Sequence, residues 1–300
     1  MTDRLPFVDA HVHLWDLDRL RYPWLTPPFA DDGPNGSVEA IANTYLLDDY
    51  RADAAGWDVR GIVHIDAGAD AAHALDETRW LQDMADADGM PNGIVAFADL
   101  SDPQVDTLLA AHAAHANVRG IRHIVNWHAD PRRSYTPRDV TADDGWAQGY
   151  ARLKAHGLSF DLQAYPGQFP GLARLIERHP ETPVMVNHMG MCIPGEEAEW
   201  RDGIAALARL PHVAIKLSGI GFTHRPWHID QARGLVLAAI DAFGCDRAMV
   251  ASDFPTDRLF GSFADHLNAY ADITHDFTPA ERAALFAGNA NRLYRLGLSL

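Results

Sequence analysis

The chain has 300 residues, 47% of them hydrophobic, enough to bury a large core as one α/β barrel or two smaller domains. Its formal net charge of -16 argues against nucleic acid or an anionic membrane surface as partner and leaves a small-molecule substrate. Cysteine occurs only at Cys192 and Cys245, which excludes a disulfide framework and fits reduced thiols in a cytoplasm.

The first residues, Met1-Thr2-Asp3-Arg4-Leu5-Pro6, lack the basic start and apolar core of a signal peptide. No apolar run is long enough to span a bilayer. A cytoplasmic protein with no membrane or nucleic-acid partner is expected, and a homo-oligomer stays open.

Phe7-Val8 leads as a short strand into Asp9-Ala10-His11-Val12-His13-Leu14-Trp15-Asp16. Histidines at i and i+2 of a strand face the same side, and at the mouth of a barrel that side is the inside. Two neutral imidazoles converging on one point are half of a metal site; two ordinary histidines on a half-buried strand would read the same. A polar, Pro-rich excursion over 21–37 follows, whose prolines, glycines and aspartates exclude a regular element. A long loop after the first strand of a barrel lies over the active-site mouth. Tyr22 and Trp24 within it either face substrate or anchor the loop.

From there apolar strand runs alternate with helical periodicity. A helix over 44–56 precedes a strand over 59–66. Helices over 71–88 and 103–115 flank a strand over 93–99, and the fourth strand covers 118–125. A second polar loop spans 126–144 and carries Arg132, Arg133 and Tyr135. Helix 146–156 leads to strand 158–163, helix 172–179 to strand 183–188, helix 196–210 to strand 212–218, and helix 229–243 to strand 248–253. Helical stretches over 263–274 and 279–296 close the chain. Eight near-continuous apolar strands, each followed by a helix, predict an α/β fold: a single (β/α)8 TIM barrel over 1–300. No Gly-rich phosphate loop follows the first strand, which disfavours a doubly wound sheet, and no organic cofactor is expected.

In such a barrel the site is built at the C-terminal ends of the strands. There the sequence places His11 and His13 (first strand), Arg122 and His123 (fourth), Asp161 and Gln163 (fifth), His188 (sixth), Lys216 and Ser218 (seventh) and Asp253 (eighth). His11, His13, His188 and Asp253 make a plausible mononuclear divalent site, and Asp253 can serve as general base towards a water. Lys216 either anchors an anionic substrate or pairs with a neighbouring carboxylate. Ser218 reads as a structural hydroxyl and His64 as a core histidine. Arg132, Arg133 and Tyr135 are candidates for a carboxylate or a solvated loop face.

Asp9-Ala10-His11-Val12-His13-Leu14-Trp15-Asp16, Asn187-His188-Met189-Gly190, Ile215-Lys216-Leu217-Ser218-Gly219 and Ser252-Asp253-Phe254-Pro255 together resemble the amidohydrolase superfamily. The branch is amidohydrolase family 2, with its fuconolactonase-like and pyrone-dicarboxylate-lactonase-like hydrolases. Arg21-Tyr22-Pro23-Trp24-Leu25 and the ending Gly288-Asn289-Ala290-Asn291-Arg292-Leu293-Tyr294 are similar to segments of the sugar-lactonase members. The resemblance spans nearly the whole chain. It implies a distorted (β/α)8 barrel that hydrolyses a lactone or similar ester. It gives metal-ligand roles to His11, His13 and His188, the base role to Asp253, and substrate contact to Arg122.

The chain departs from the family's patterns in three places. No lysine ends the fourth strand, which argues against a two-metal site with a carboxylated-lysine bridge. Gln163 stands where decarboxylase members have a histidine, and Asn187 where lactonases have an acidic residue. The favoured expectation is a lactonase of sugar or carboxylated lactones. Its catalytic residues would be Asp253, His188 and Arg122; its substrate contacts Arg122, Gln163, Lys216, Tyr22 and Trp24; its cofactor zero or one divalent ion, zinc or manganese. A metal-dependent decarboxylase and a non-catalytic ligand-binding barrel are the alternatives. Asp253→Asn is expected to cost more activity than Asp161→Asn.

Overall fold

A computed structural model describes residues 5–300. Eight parallel strands form one sheet in sequence order: β1 Pro6–Val12, β2 Asp58–Ile65, β3 Gly93–Phe97, β4 Val118–Ile124, β5 Ser159–Gln163, β6 Val184–Val186, β7 Val213–Leu217 and β8 Ala248–Val250. The sheet curls into a nearly closed TIM barrel. β8 meets β1 through the Val12–Phe254 bridge and two backbone bonds, His13 N–H to Phe254 O at 2.8 Å and Asp253 N–H to His11 O at 2.9 Å. Asp9 adds a side-chain clamp by accepting from the Ser252 N–H at 2.9 Å.

Helices cover the outside: α1 Leu47–Asp53, α2 Ala74–Asp88, α3 Val105–Ala113, α4 Asp144–Arg152, α5 Phe169–Glu177, α6 Glu197–Ala208, α7 Ile229–Phe243 and α8 Phe263–Ile273. The chain ends in α9 Pro279–Ala283, a wide-turned stretch Ala284–Gly288, and α10 Asn289–Leu293. The main core lies between sheet and helices. A second fills the barrel interior with Val8, Ala10, Val63, Ile65, Val95, Met185, Ala214 and Met249, and the C-terminal segment plugs it with Ala287, Ala290 and Tyr294. None of the helices described is long and apolar enough to cross a membrane.

Three departures from the sequence reading bear on function. The helix expected from 44 starts only at Leu47, because Tyr45 is held in a backbone pair with Trp15. The excursion over 21–37 does hold one short helical turn, Pro23–Leu25, started by the fixed φ of proline. The sixth and eighth strands stop at Val186 and Val250, short of the expected 188 and 253. Beyond them the chain leaves the pleat, and His188 and Asp253 sit at φ of 53° and 57°. Non-glycine residues take that conformation at a cost and gather at functional sites.

Candidate active site

The two histidines of β1 face the barrel axis because of a bulge. Asp9 pairs with Ile62 and Val12 with His64, so β1 spends one residue more than β2 over that interval. Ala10 still points into the interior core, whereas Val12 joins the outer one. The extra residue turns His11 inward, and His13 follows at i+2. Bulges re-aim side chains in this way beside active sites.

His11 and His13 bring their Nε2 atoms to 3.2 Å of each other and each to 3.3 Å of Asp253 Oδ1. His188 comes in from the opposite wall. Its Nδ1 lies 3.1 Å from Ser218 Oγ, which makes Ser218 an orienting hydroxyl. His13 Nδ1 donates to Ile65 O at 2.8 Å, leaving its Nε2 lone pair free. Burial, with the nearby Arg122 and Lys216 charges, outweighs the pull of Asp253 and lowers His188 to about 3. Burial, then Lys216, pushes His11 well below the usual imidazole value. Burial works to raise the Asp253 carboxyl, but His188, His13 and Arg122 outweigh it and hold it below the ordinary range.

Both Asp253 oxygens are buried without a hydrogen-bond donor among the described residues; the facing imidazoles lie close but off hydrogen-bond geometry. Donor atoms of His11, His188 and Asp253 lie within 4.8 Å of one another and could hold a metal ion. The unpartnered carboxylate and the imidazoles fit a borderline cation such as zinc. His13 lies outside that three-residue group, though it touches two of its members.

Arg122 forms the floor beside these groups. Its Nε donates to Asp66 Oδ2 at 3.3 Å, Nη1 to Gln163 Oε1 at 3.1 Å, and Nη2 to Asp66 O. Asp66 thus sets the guanidinium, a role that no spacing in the sequence announces. Above lies a cavity of about 240 Å³, lined by His13, His188, Asp253, Arg122 and Gln163, with Trp24, Tyr135 and Phe222 as aromatic walls and Asn35 and Thr256 among the rest. His11 sits behind this lining, fully buried. Asn35 and Phe222 lie in loops without a motif; the one hint was that loops after barrel strands cover the mouth.

Other expected residues fall elsewhere. Lys216 does not reach the cavity: it is fully buried, its ammonium bonded to Asp161 and 3.2 Å from His11 Nδ1. Tyr22 also misses the cavity, packing into the outer core, whereas Trp24 both lines it and ties its loop to Ala67 O at 2.8 Å. His123 points outward to the Leu100 N–H and Trp146 Nε1. His64 is a core residue that accepts from the Leu14 N–H at 3.1 Å. Arg132 pairs with Asp130 and Arg133 with Glu196, so of that loop trio only Tyr135 lines the cavity.

Gly219 is what lets His188 sit here. Its φ is +67°, and a Cβ built on it would lie 2.5 Å from His188 Nδ1. Gly219→Ala therefore meets both the left-handed penalty of roughly 1–2 kcal/mol and a clash with the ring. The expected outcome is a modest fall in melting temperature and a turnover loss of about 10²-fold, the scale of a 1 Å misplacement. Wild-type turnover in the variant would show that the His188 position does not matter.

Known proteins are similar to this chain over almost its whole length. An uncharacterized protein of Sinorhizobium fredii is 41% identical, covering 99% of this chain and 100% of its own. An L-fucono-1,5-lactonase of Burkholderia multivorans is 28% identical, over 96% of each chain. The crystal structure of an amidohydrolase from Burkholderia multivorans with bound zinc superposes with a TM-score of 0.78 at 27% identity, covering 96% of this chain and 99% of that one. The sequence profile of the Amidohydrolase family matches residues 8–296. That match runs from the first strand to the plug beneath the barrel and takes in every strand end that builds the site, so the chain belongs to the amidohydrolase family and is a hydrolytic enzyme.

Proposed function

We propose that the protein opens a small, uncharged, hydroxylated lactone of the sugar type by addition of water. The observation that carries this reading is Asp253, a buried carboxylate with both oxygens free, facing imidazoles at the floor of the cavity. A water between Asp253 and the substrate loses its proton to the carboxylate as its oxygen bonds to the lactone carbonyl carbon. Arg122, at the cavity floor, is the cation placed to stabilise the carbonyl oxygen as charge develops there. The ring C–O bond then breaks, the ring oxygen takes up a proton, and a hydroxy acid leaves. A zinc or manganese ion bound by His11, His188 and Asp253 would supply Lewis-acid polarisation at this position.

Charge and size narrow the substrate. Among the described residues Arg122 is the only Arg or Lys lining the cavity, and its charge is already met by Asp66. A dicarboxylate would find no free cation there. The cavity is smaller than the roughly 300–1,000 Å³ of drug-sized sites, which suits one ring. The L-fucono-1,5-lactonase relative acts on a molecule of this kind.

The test is acid release from a panel holding L-fucono-1,5-lactone, other aldonolactones and 2-pyrone-4,6-dicarboxylate, with carbon dioxide measured alongside. Turnover confined to the uncharged sugar lactones is expected. Preference for the dicarboxylate would overturn the charge argument, carbon dioxide release would point to a lyase, and no turnover across the panel would remove the lactonase reading.

The pH profile follows from the same groups. Asp253 is held below the ordinary carboxylate value of 3.8, so the base form persists as pH falls through the weakly acidic range. His188, lowered to about 3, stays neutral over that range too. The acid limb of kcat/KM is therefore expected below pH 3.8 wherever circular dichroism shows the fold intact. A limb near the usual imidazole value of 6.5 would show a histidine acting as the base instead.

A further inference from the structure

The loop after β1 brings to the cavity a fixed amide that the proposed reaction does not use. Gly33-Pro34-Asn35-Gly36 is a tight turn, closed by the Gly36 N–H to Gly33 O at 3.0 Å. Proline second and asparagine third suit such a turn, and Gly36 leaves it at a φ of 68°. Asn35, at the tip, is half-buried and lines the cavity.

Two other loops hold that tip. From the loop after β4, Tyr135 donates its hydroxyl to Asn35 Oδ1. Tyr135 is itself set by its N–H bond to Asn126 O at 3.0 Å. From the loop after β7, Arg225 Nη2 donates to Pro34 O and Phe222 O, and its Nε to Gly221 O at 2.9 Å. The same guanidinium lies 4.9 Å from the centre of the Phe260 ring. Arg225 is thus taken up by three carbonyls and a ring, and it fastens the turn rather than meeting substrate.

A side-chain amide has an acceptor oxygen and two N–H donors. Tyr135 takes up the oxygen of Asn35, and among the described residues no protein group accepts from its Nδ2. Trp24, Tyr135 and Phe222 form the aromatic walls of the cavity. A ring entering it therefore meets apolar surface at its sides and a preset pair of donors at Asn35. Asp253 and Arg122, on the floor, serve the lactone group itself.

We infer that Asn35 is a specificity-determining residue whose N–H groups donate to a ring hydroxyl of the substrate, and that Tyr135 is the positioning residue that holds the amide for it. The identity of the ring rests on the lactonase reading. A site built to hydrogen-bond a substrate hydroxyl discriminates against the analogue without it, because a polar group of the site is then left unpaired.

The test compares a hydroxylated ring with a bare one. For the full chain, kcat/KM is measured on L-fucono-1,5-lactone and on δ-valerolactone, in wild type, Asn35→Leu, Tyr135→Phe and the double variant. Asn35 lies outside the left-handed region, so leucine strains no backbone there and melting is expected to stay near that of wild type. The ratio of the two kcat/KM values, sugar lactone over bare lactone, is expected to fall about 5–100-fold in Asn35→Leu. It is expected to fall less in Tyr135→Phe, and the second substitution should add little to the first. A loop that only covers the mouth predicts equal losses on both lactones. An unchanged ratio in Asn35→Leu overturns the inference, and additive effects of the two substitutions overturn the part given to Tyr135.

Binding of L-fucono-1,5-lactam, which has no ester to hydrolyse, is measured alongside by calorimetry. Weaker binding by Asn35→Leu is expected. Equal binding by the variant, or no binding by wild type, overturns the inference. If neither lactone is turned over, the lactonase reading fails while the lactam still decides on Asn35, so the two failures are distinguishable.

Discussion

Asp253→Asn is expected to lower turnover about 10²–10⁴-fold, the usual range for a general base, with the fold retained. The backbone at this position is pinned by the N–H bond to His11 O and by the Asp257 N–H bond to Asp253 O, both at 2.9 Å. Its φ of 57° is one that asparagine tolerates better than most residues. The substitution therefore keeps the shape of the site and removes only the proton acceptor. Asp257, whose N–H bonds to Asp253 O, is a neighbouring carboxyl that could stand in. Burial and then the Asp253 charge push it well above the ordinary value, and it accepts from the Gly219 N–H, so it is a poor base at neutral pH. The check is kcat on the lactone found by screening, together with the melting temperature. Near-wild-type turnover in the folded variant would take Asp253 out of the mechanism and leave the histidines to carry it.

The residues gathered at the C-terminal mouth of the barrel were legible where their placement lies in their own strand. His11 and His13 could be read from an i, i+2 spacing, and His188 and Asp253 from their places at the ends of apolar runs. The bulge that turns the β1 histidines inward was not legible, because it is a mismatch between two strands and leaves no mark on either alone. The ends of β6 and β8 lie earlier than the sequence suggests: the polar pairs Asn187-His188 and Ser252-Asp253 directly follow the apolar runs and read as their continuation, while the backbone has already left the pleat. Asp66 could be read only as an acidic residue near a strand end. Its bonds to Arg122 cross from β2 to β4, a pairing that one sequence does not contain. Lys216 allowed two readings from sequence, and only the position of Asp161 opposite it on the barrel axis decides for the ion pair.

Asp161→Asn shows how far that placement changes expectations. Its place beside Gln163 gives the residue a minor part next to Asp253, and for turnover alone that ranking is still expected. For stability the structure reverses it. Asp161 is the counter-charge of a lysine with no exposure, and it also receives the Tyr294 hydroxyl at 2.7 Å. An amide keeps an oxygen for the phenol but leaves the ammonium uncompensated. Removing one partner of a buried pair costs about 3–5 kcal/mol, which corresponds to a fall in melting temperature of roughly 6–20 °C for a chain of this size class. The loss should also depend on pH. Burial pushes the Lys216 ammonium below its ordinary value of 10.5, and Asp161 is the main group opposing that shift. Without Asp161 the folded state releases this proton more readily than the unfolded state does, so unfolding takes up a proton and stability rises with pH up to about 10.5. The gap between variant and wild type is therefore expected to narrow as pH is raised from neutral towards 10. Thermal melting of both proteins across that range checks it. A melting temperature equal to wild type at neutral pH would show that Lys216 is already neutral in the fold, and the ion pair with it would have to be given up.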